Sequence, residues 1–362
     1  MTRIDLSAIE TLPNTPAVFL VHTEGREPYL ARTSQLRRRL LRLLGERAAP
    51  SRLLTLRALA TGIEYTLVAS TLESNLVFYE TARRWFPESY IEYIRLRFPA
   101  YVKLVLSNEF PRAHVTTRPG GGRGRYFGPF RTRASAEQFL DGALDLFQVR
   151  RCQEDLTPSP DHPGCIYGEM NMCLRPCQQI VGPDEYASEV ARLSDFLHTS
   201  GQSLLAATAA ARDRMSAEME FEAAARQHAR YERIQEVLRA RDDLASEVGV
   251  LNGVAVTASV DPAAVDLRFL LGGAWCEPIR FRTAPDPGEM IPLDRRLREA
   301  ASAVKPPPVT QKERAEHLAI LARWYYSTWR EGEWLPFASL DKLPYRRLVK
   351  ALSKTGDGRD VP

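Results

Sequence analysis

Four of the five cysteines in this chain of 362 residues lie in one short segment, RCQEDLTPSPDHPGCIYGEMNMCLRPC, at residues 151 to 177. Prolines and glycines interrupt the segment, so it predicts a loop that has little core in which to bury isolated thiols. Four thiolates are the ligand set of a tetrahedral zinc ion or a cubane iron–sulfur cluster. The segment lacks the paired C-x2-C knuckles typical of zinc sites, which disfavours zinc without excluding it. Ordinary buried thiols are the remaining alternative for Cys152, Cys165, Cys173 and Cys177.

Composition places these thiols in a reducing compartment. The amino terminus, MTRIDLSAIETLPNT, has no apolar core of a signal peptide, and no apolar run approaches the roughly eighteen residues of a membrane span. We therefore expect a cytoplasmic protein without membrane contact, in which clustered cysteines ligate metals rather than form disulfides. The net charge is +4, but about eight net positive charges fall in the first 150 residues. This basic half is suited to a phosphate backbone.

Hydrophobic periodicity predicts an α+β multidomain chain. Strands are expected at 16–22, 28–31, 63–70, 101–107 and 112–118, with strand-like alternation over 250–283. Helices are expected at 34–44, at 71–85 where Pro87 stops the pattern, at 135–147, at 313–332 and at 343–354. The stretch 183–245 is rich in alanine and charge and has no internal proline, which predicts an antiparallel helical hairpin.

Four motifs follow one another along the middle of the chain: RYFGPF at 125–130, VRRC at 149–152, CLRPC at 173–177 and PDEYASEVARLSDFL at 183–197. In this order they resemble the central region of UvrC, the nuclease subunit of bacterial nucleotide excision repair. In that family four cysteines at these positions are associated with an iron–sulfur cluster. The resemblance therefore implies a 4Fe–4S cluster, with zinc as the alternative, on Cys152, Cys165, Cys173 and Cys177.

With this resemblance the chain divides into five predicted regions. The first, 1–100, is a degenerate GIY-YIG nuclease-like module, and 101–182 holds linker strands and the cysteine-cluster domain. Residues 183–246 form a helical hairpin with a UVR-like motif, and 247–304 a partial RNase H-like strand region. Residues 305–362 are predicted to be carboxy-terminal helices, too few for the nuclease domain and the helix-hairpin-helix pair of full-length family members.

The segment AEMEFEAAARQHARYERIQEVL at 217–238 resembles the UVR motif, which docks onto UvrB, the helicase of the excinuclease. Its FEAAA core fits, whereas the usual Arg-Asp pair is replaced by Gln227 and His228. The resemblance implies contacts with UvrB through Phe221, Glu222 and Ala224. The residues by themselves predict only two helices whose apolar faces pack together without a partner, lined by Met219, Phe221, Ala224, Ile234 and Leu238.

The first hundred residues resemble a GIY-YIG module with part of its chemistry missing. Tyr29 and Arg39 align with the second tyrosine and the arginine of that motif, and Phe19 stands where the first tyrosine belongs. Phe78 occupies the position of the metal-binding glutamate, and a phenyl ring cannot coordinate a hard cation, so a divalent metal at this centre is doubtful. Glu80 is about 200° round the helix from Phe78 and is expected to face the other way. The motif's asparagine is also missing, with Tyr90 near its place.

The remaining basic residues of this module suggest DNA-backbone contact. Guanidinium groups match phosphate oxygens without reading bases, although a charge run is also what a solvated helix face contains. The predicted set begins one helix and ends another, and comprises Arg32, Arg37, Arg38, Arg39, Arg42, Arg83 and Arg84.

The carboxy-terminal third offers no convincing acidic metal-binding set, because Asp261 precedes a proline and Asp266 begins a strand alone. Its aromatic residues are predicted to pack a helix onto a core, with stacking on nucleobases as the alternative. They are Trp324, Tyr325, Tyr326, Trp329 and Trp334.

Three functions follow from the sequence. The first is a DNA-binding accessory or regulator of nucleotide excision repair whose nuclease centre is inactive. The second is an active metal-dependent endonuclease that incises near lesions, with Glu80 or another carboxylate as ligand. The third is a cluster-bearing protein-binding scaffold without a role on DNA.

Overall fold

The computed structural model describes residues 1–45, 52–120, 124–284 and 291–357. Its first sheet contains strands β1 to β4, at Thr2–Ile4, Ala17–Thr23, Tyr29–Thr33 and Ala60–Leu67. These strands are antiparallel in the order β1-β4-β2-β3, so β3 is an edge strand. Four helices accompany the sheet: α1 at Leu36–Leu44, α2 at Arg52–Leu59, α3 at Thr71–Trp85 and α4 at Tyr90–Tyr93. This sheet and its helices are called the head below.

Strand alternation in β2 supplies two separate cores in the head. Phe19 and Val21 pack with Leu40 of α1 on one face, whereas Leu20 packs with Leu76 of α3 on the other. Ser70 caps the amino terminus of helix α3, and its hydroxyl accepts a hydrogen bond from the backbone N–H of Glu73. It runs over 71–85 as predicted.

The second sheet contains β5 at Ala100–Val105, β6 at Arg112–Thr116, β7 at Gly124–Phe130 and the short β8 at Ser246–Glu247. Its order is β6-β5-β7-β8, so the chain returns to this sheet after a long helical excursion. The excursion contains α5 at Arg133–Leu144, α6 at Ile166–Glu169, α7 at Pro183–His198, α8 at Gln202–Ala217 and α9 at Phe221–Arg239.

The prediction of a single helical hairpin over 183–245 is wrong. Three helices occupy the stretch, because the backbone turns left-handed at Ser200 and Gly201 and again at Met219. A Cβ on Gly201 would lie 2.5 Å from Cδ2 of Leu238, so this turn requires glycine for space as well as for its backbone angle. Helices α8 and α9 form the hairpin, while α7 packs Tyr186 into the core of the second sheet.

The third sheet contains β9 to β13, at Gly253–Ala258, Ala264–Leu271, Ala274–Trp275, Ile279–Arg282 and Glu333–Pro336. Its order is β11-β10-β9-β13, with β12 also paired to β10. Its helices are α10 at Leu293–Ser302, α11 at Gln311–Tyr325 and α12 at Tyr345–Asp357. The helix predicted over 313–332 ends early, at Tyr325, and β13 is not among the predicted strands. A four-residue strand has too little pattern to be predicted before its pairing partner, β9, is known.

Helix α11 joins the head to the carboxy-terminal sheet. The carboxyl group of Glu316, which has 0% exposure, accepts hydrogen bonds from the hydroxyls of Tyr79 at 2.6 Å and Tyr90 at 2.7 Å. An ion pair between Arg83 and Glu313 lies at the edge of the same contact. The contact fixes α3 against α11. In the described part of the chain no helix combines the length and apolar character needed to span a bilayer.

Candidate functional site

The cysteine loop, residues 151–177, packs against the core formed by α5 and α7. No disulfide joins its thiols. Cys173 and Cys177 are buried, Cys152 is half-buried and Cys165 is exposed at the start of α6. Backbone bonds fold the loop on itself: the N–H of Ser159 donates to the carbonyl of Cys177 at 2.9 Å. Three residues without glycine's freedom adopt left-handed backbone angles in the loop, which shows how tightly it turns; they are Asn171, Arg175 and Gln179.

The four thiols of the loop interact electrostatically. The pKa of Cys173 is raised to about 11, mainly by burial and to a smaller extent by the nearby Cys152, Cys165 and Cys177, whereas a hydrogen bond from the Arg175 N–H lowers it. The four cysteines singled out by the sequence thus lie in one folded loop, with Cys173 and Cys177 buried and Cys165 exposed. Within the described ranges, however, no group of three or more His, Cys, Asp or Glu side chains has the arrangement of a metal site.

Arg150 supplies a buried positive charge next to these thiols. Its side chain, 1% exposed, donates from Nε to the carbonyl of Phe110 at 2.9 Å and from Nη1 to the carbonyl of Glu154 at 2.7 Å. Nη1 also lies 3.4 Å from Sγ of Cys152. Sequence reasoning does not single out Arg150, because nothing in VRRC distinguishes it from the exposed arginines elsewhere.

The donor set fits an inorganic centre that binds thiolates. A buried guanidinium needs an anion nearby, and deprotonated cysteines around a metal would provide one. The backbone N–H of Arg175 also points to Sγ of Cys173 at 3.4 Å, the type of contact that stabilises a ligating sulfur.

Two residues of the head that the sequence aligns with a nuclease motif, Tyr29 and Arg39, contact each other. Nη2 of Arg39 on α1 lies 3.5 Å from the hydroxyl of Tyr29 on β3. The ring of Phe19 on β2 is 6.2 Å from that of Tyr29 and offers no hydroxyl to the pair. Phe19 and Tyr29 both belong to the core on the α1 side of the sheet.

Phe78 lies in a different environment, on the α3 side of the sheet. The guanidinium of Arg32 sits over its ring, 4.8 Å from the centroid, and donates to Oδ1 of Asn75 at 2.6 Å. The ring of Tyr93 is 6.2 Å away. A guanidinium is therefore held against the residue that the sequence analysis aligned with a metal-binding glutamate.

The acidic residues of α3 do not reach this position. Glu73 is buried in the first turn of α3. Its carboxyl group accepts hydrogen bonds from the N–H of Ala69 at 2.8 Å and from the guanidinium of Arg268 at 3.2 Å. Glu80 is exposed, and the charges that act on it belong to Arg268 and Glu277 of the carboxy-terminal part. Burial is the main cause of the raised pKa of Glu73. The hydroxyl of Tyr90, the residue near the predicted place of the motif's asparagine, donates a hydrogen bond to Glu316.

The predicted arginine set is divided among three environments. Arg32 belongs to β3, not to the following helix as predicted. Arg83 is engaged by Glu313 of α11, and Arg84 is exposed with its guanidinium over the ring of Trp85, 5.6 Å from the centroid. The exposed arginines on α1 are Arg37, Arg38 and Arg42.

The turn between α8 and α9 displays two large apolar side chains. Met219 is 76% exposed and Phe221 is 68% exposed, so the prediction that they line the packed faces of the hairpin is wrong. The left-handed backbone at Met219 turns them away from the inter-helix contact. Glu222 is exposed and Ala224 half-buried beside them, whereas Ile234 is buried as predicted.

The carboxy-terminal aromatic residues also divide. Trp324 and Trp334 are buried, as the core prediction requires, but Trp329 lies in solvent between α11 and β13.

The buried contacts of Glu316 with Tyr79 and Tyr90 have no sequence signal, because they join residues more than two hundred positions apart.

Comparison with known proteins agrees with the resemblance seen in the sequence. Residues 100–196 match the family described as UvrC/Cho excinuclease, middle domain. The chain is 25% identical over 266 residues to UvrABC system protein C of Methylococcus capsulatus, covering 73% of this chain and 43% of the relative. It is 28% identical over 270 residues to the protein of that name from Saccharopolyspora erythraea, covering 73% and 37%.

A third relative extends the similarity further along the chain. UvrABC system protein C of Dehalococcoides mccartyi is 24% identical over 331 residues, which are 87% of this chain and 53% of the relative. The chain thus spans about half the length, or less, of the curated relatives it matches. No solved structure matches it. The predicted resemblance to UvrC and the α+β fold class are both confirmed.

Proposed function

We propose that this chain is a UvrC-like protein of nucleotide excision repair that binds DNA through its head without cutting it there. Its similarity extends over most of the chain to proteins named as components of the UvrABC system. The exposed arginines Arg37, Arg38 and Arg42 on α1 provide donors for phosphate oxygens. The role is that of an accessory or regulator.

The observation that carries the loss of cutting is the stacking of Arg32 on Phe78. A divalent cation requires oxygen ligands, and here it would meet a phenyl ring and a guanidinium instead. Phe19 removes a second chemical group, since its ring cannot transfer a proton. Tyr29 and Arg39 are then remnants that retain their contact but not their reaction.

The cysteine loop, in this proposal, holds an inorganic centre on Cys152, Cys165, Cys173 and Cys177. The resemblance to UvrC favours a 4Fe–4S cluster, and zinc is the alternative. Such a centre, when bound, would fix a loop that otherwise contains buried, unpaired thiols. Arg150 would balance part of its negative charge through the contact with Cys152.

The α8–α9 hairpin is proposed to bind UvrB, the helicase of the excinuclease. Its tip offers Phe221 and Met219 as apolar anchors with Glu222 beside them. Solvent-exposed side chains of this size at a fixed turn have no packing role within the hairpin, which supports an intermolecular one.

Two alternatives remain distinct from this proposal. An active endonuclease would need Glu80 or another carboxylate as a ligand, and the charges that act on Glu80 are those of Arg268 and Glu277 rather than Arg39. A scaffold with no DNA role would leave the exposed arginines of α1 as a solvated face.

Salt-dependent DNA binding tests the proposal against the scaffold. The full chain should bind duplex DNA with an affinity that falls as salt rises, because phosphate contacts release counterions. Replacing Arg37, Arg38 and Arg42 by Gln should weaken binding and reduce the slope of log affinity against log salt. Arg133→Gln is a matched control, because that exposed arginine is paired with Glu137 away from the head. A slope unchanged in the triple variant would contradict DNA binding by α1.

A further inference from the structure

Trp329 is the most exposed large apolar side chain in the described part of the chain, at 86%. It lies in the connection between α11 and β13, whereas its neighbours along the chain, Trp324 and Trp334, are buried. An indole in water leaves a large apolar face uncovered. Within the described fold it has no packing role.

The segment that carries Trp329 is held in place. The N–H of Trp329 donates to the hydroxyl of Ser327 at 3.3 Å, and the indole N–H of Trp324 donates to the carbonyl of Glu331 at 3.2 Å. Gly332 follows in a left-handed conformation, where a Cβ would lie 2.3 Å from the carbonyl oxygen of Val256. The exposed indole is therefore displayed by a fixed turn rather than by a loose chain end.

The same turn contacts the head. The carboxylate of Glu331, two residues after Trp329, accepts a hydrogen bond from the N–H of Thr71 at 3.0 Å. Glu331 and Thr71 line a cavity of about 380 Å³ together with Arg32, Ser34 and Ser74. Trp329 is thus two residues along the chain from a residue that lines a polar cavity formed by both the head and the carboxy-terminal part.

The charge of this cavity favours an anion. Arg32 is oriented by Asn75 and Phe78 but keeps an exposed surface. Arg323 of α11 lies close enough for its positive charge to lower the pKa of Arg32, after the larger effect of burial. The one acidic side chain lining the cavity, Glu331, is already engaged by the backbone at Thr71.

We propose that Trp329 and this cavity, here called the Trp329 notch, bind one unstacked nucleotide of single-stranded or distorted DNA. The base stacks on the indole, and its phosphate lies at Arg32 with Ser34 and Ser74 as hydroxyl donors. Stacking is tolerant of base identity and needs only an exposed aromatic face near a basic groove. The inference rests on the proposed DNA-binding function and adds that an unpaired nucleotide is what the protein recognises.

The test compares variants for binding to a single-stranded oligonucleotide and to a duplex of the same length with a central unpaired bubble. Trp329→Ala should weaken both about tenfold and leave the salt slope unchanged, because stacking releases no counterions. Trp329→Phe should retain most of the affinity. Arg32→Gln should weaken binding and reduce the salt slope by about 0.7. Ile180→Ala, which removes another exposed apolar side chain in a different part of the chain, is the control and should have no effect.

Tryptophan emission gives an independent reading. Saturating single-stranded DNA should quench the wild-type fluorescence, and Trp329→Phe should abolish that quenching. The inference is overturned if DNA binds the chain but Trp329→Ala behaves like Ile180→Ala, or if Trp329 matters only for RNA. Failure of the proposed function looks different, since then wild type and every variant bind no DNA.

Discussion

The guanidinium of Arg150 lies 3.4 Å from Sγ of Cys152 and, in the described part of the chain, its other hydrogen bonds go to backbone carbonyls rather than to a carboxylate. Burying an arginine without an anion is costly, and a sulfur that is deprotonated in a metal centre removes that cost. This relationship connects the fold of the cysteine loop to the chemistry proposed for it.

Arg150→Gln should speed release of the bound metal to a chelator. Loss of a group that contacts a ligating sulfur typically lowers metal affinity 10- to 100-fold, so about tenfold faster release is expected. Arg150→Lys, which keeps the positive charge, should release the metal at a rate between those of the wild type and Arg150→Gln. The control is Arg112→Gln, because Arg112 donates to the same carbonyl of Glu154, at 3.0 Å, and pairs with the carboxylate of Asp155 at 3.5 Å rather than with a sulfur. Equal release rates for Arg150→Gln and the control would contradict the role of Arg150.

The metal content of anaerobically purified protein should be stoichiometric and should depend on the buried cysteines. Cys173→Ser should lose most of the metal, since a hydroxyl is a poor substitute for thiolate. Cys276→Ser is the control, because this buried thiol lies in the third sheet, away from the loop. Iron with a broad visible absorption band identifies the cluster, and zinc alone identifies the alternative. A wild-type protein free of both metals would refute the centre.

Glu316→Ala should destabilise the protein by about 3 kcal/mol, because it leaves the buried hydroxyls of Tyr79 and Tyr90 without their acceptor. Urea denaturation followed by circular dichroism measures this change. Lys312→Ala is the control: its exposed ammonium is 4.0 Å from Glu316, and its removal should cost less than about 0.5 kcal/mol. Similar midpoints for the two variants would show that the contact does not hold the head to α11.

His317 should make stability depend on pH. Burial lowers its pKa to about 4, and its Nδ1 accepts a hydrogen bond from the N–H of Trp275 at 3.1 Å. The ordinary histidine pKa is about 6.5, so the unfolded chain binds more protons between these values and stability falls as pH drops from about 6.5 to about 4. The loss attributable to His317 is up to about 3 kcal/mol. His317→Gln keeps an acceptor and should remove this part of the pH dependence; an unchanged profile would contradict it.

Local signals in the sequence predict much of the fold. Helix α3 is predicted at 71–85 because Pro87 ends the helical pattern, and β2 and β3 follow from their short apolar runs. The break at Met219 and the strand β13 escape prediction, since neither carries a long periodic pattern.

Parts of the candidate sites could not be predicted for a different reason. That the four cysteines share one loop can be read from the sequence, but the buried position of Arg150 depends on carbonyl groups from the segment before β6 and from the loop. Exposure of Trp329 next to buried Trp324 depends on where α11 ends and how the following turn contacts Thr71. These are long-range packing outcomes, which periodicity does not encode.

The most direct test of the account measures binding and cleavage on one sample. The chain is incubated with Mg²⁺ or Mn²⁺ and a damaged or bubble-containing duplex, at protein concentrations shown to saturate that DNA. The DNA strands are then separated to detect cleavage. The account predicts bound, uncut DNA for wild type and for Glu80→Ala alike. Metal-dependent nicking by the wild type that Glu80→Ala abolishes would contradict it.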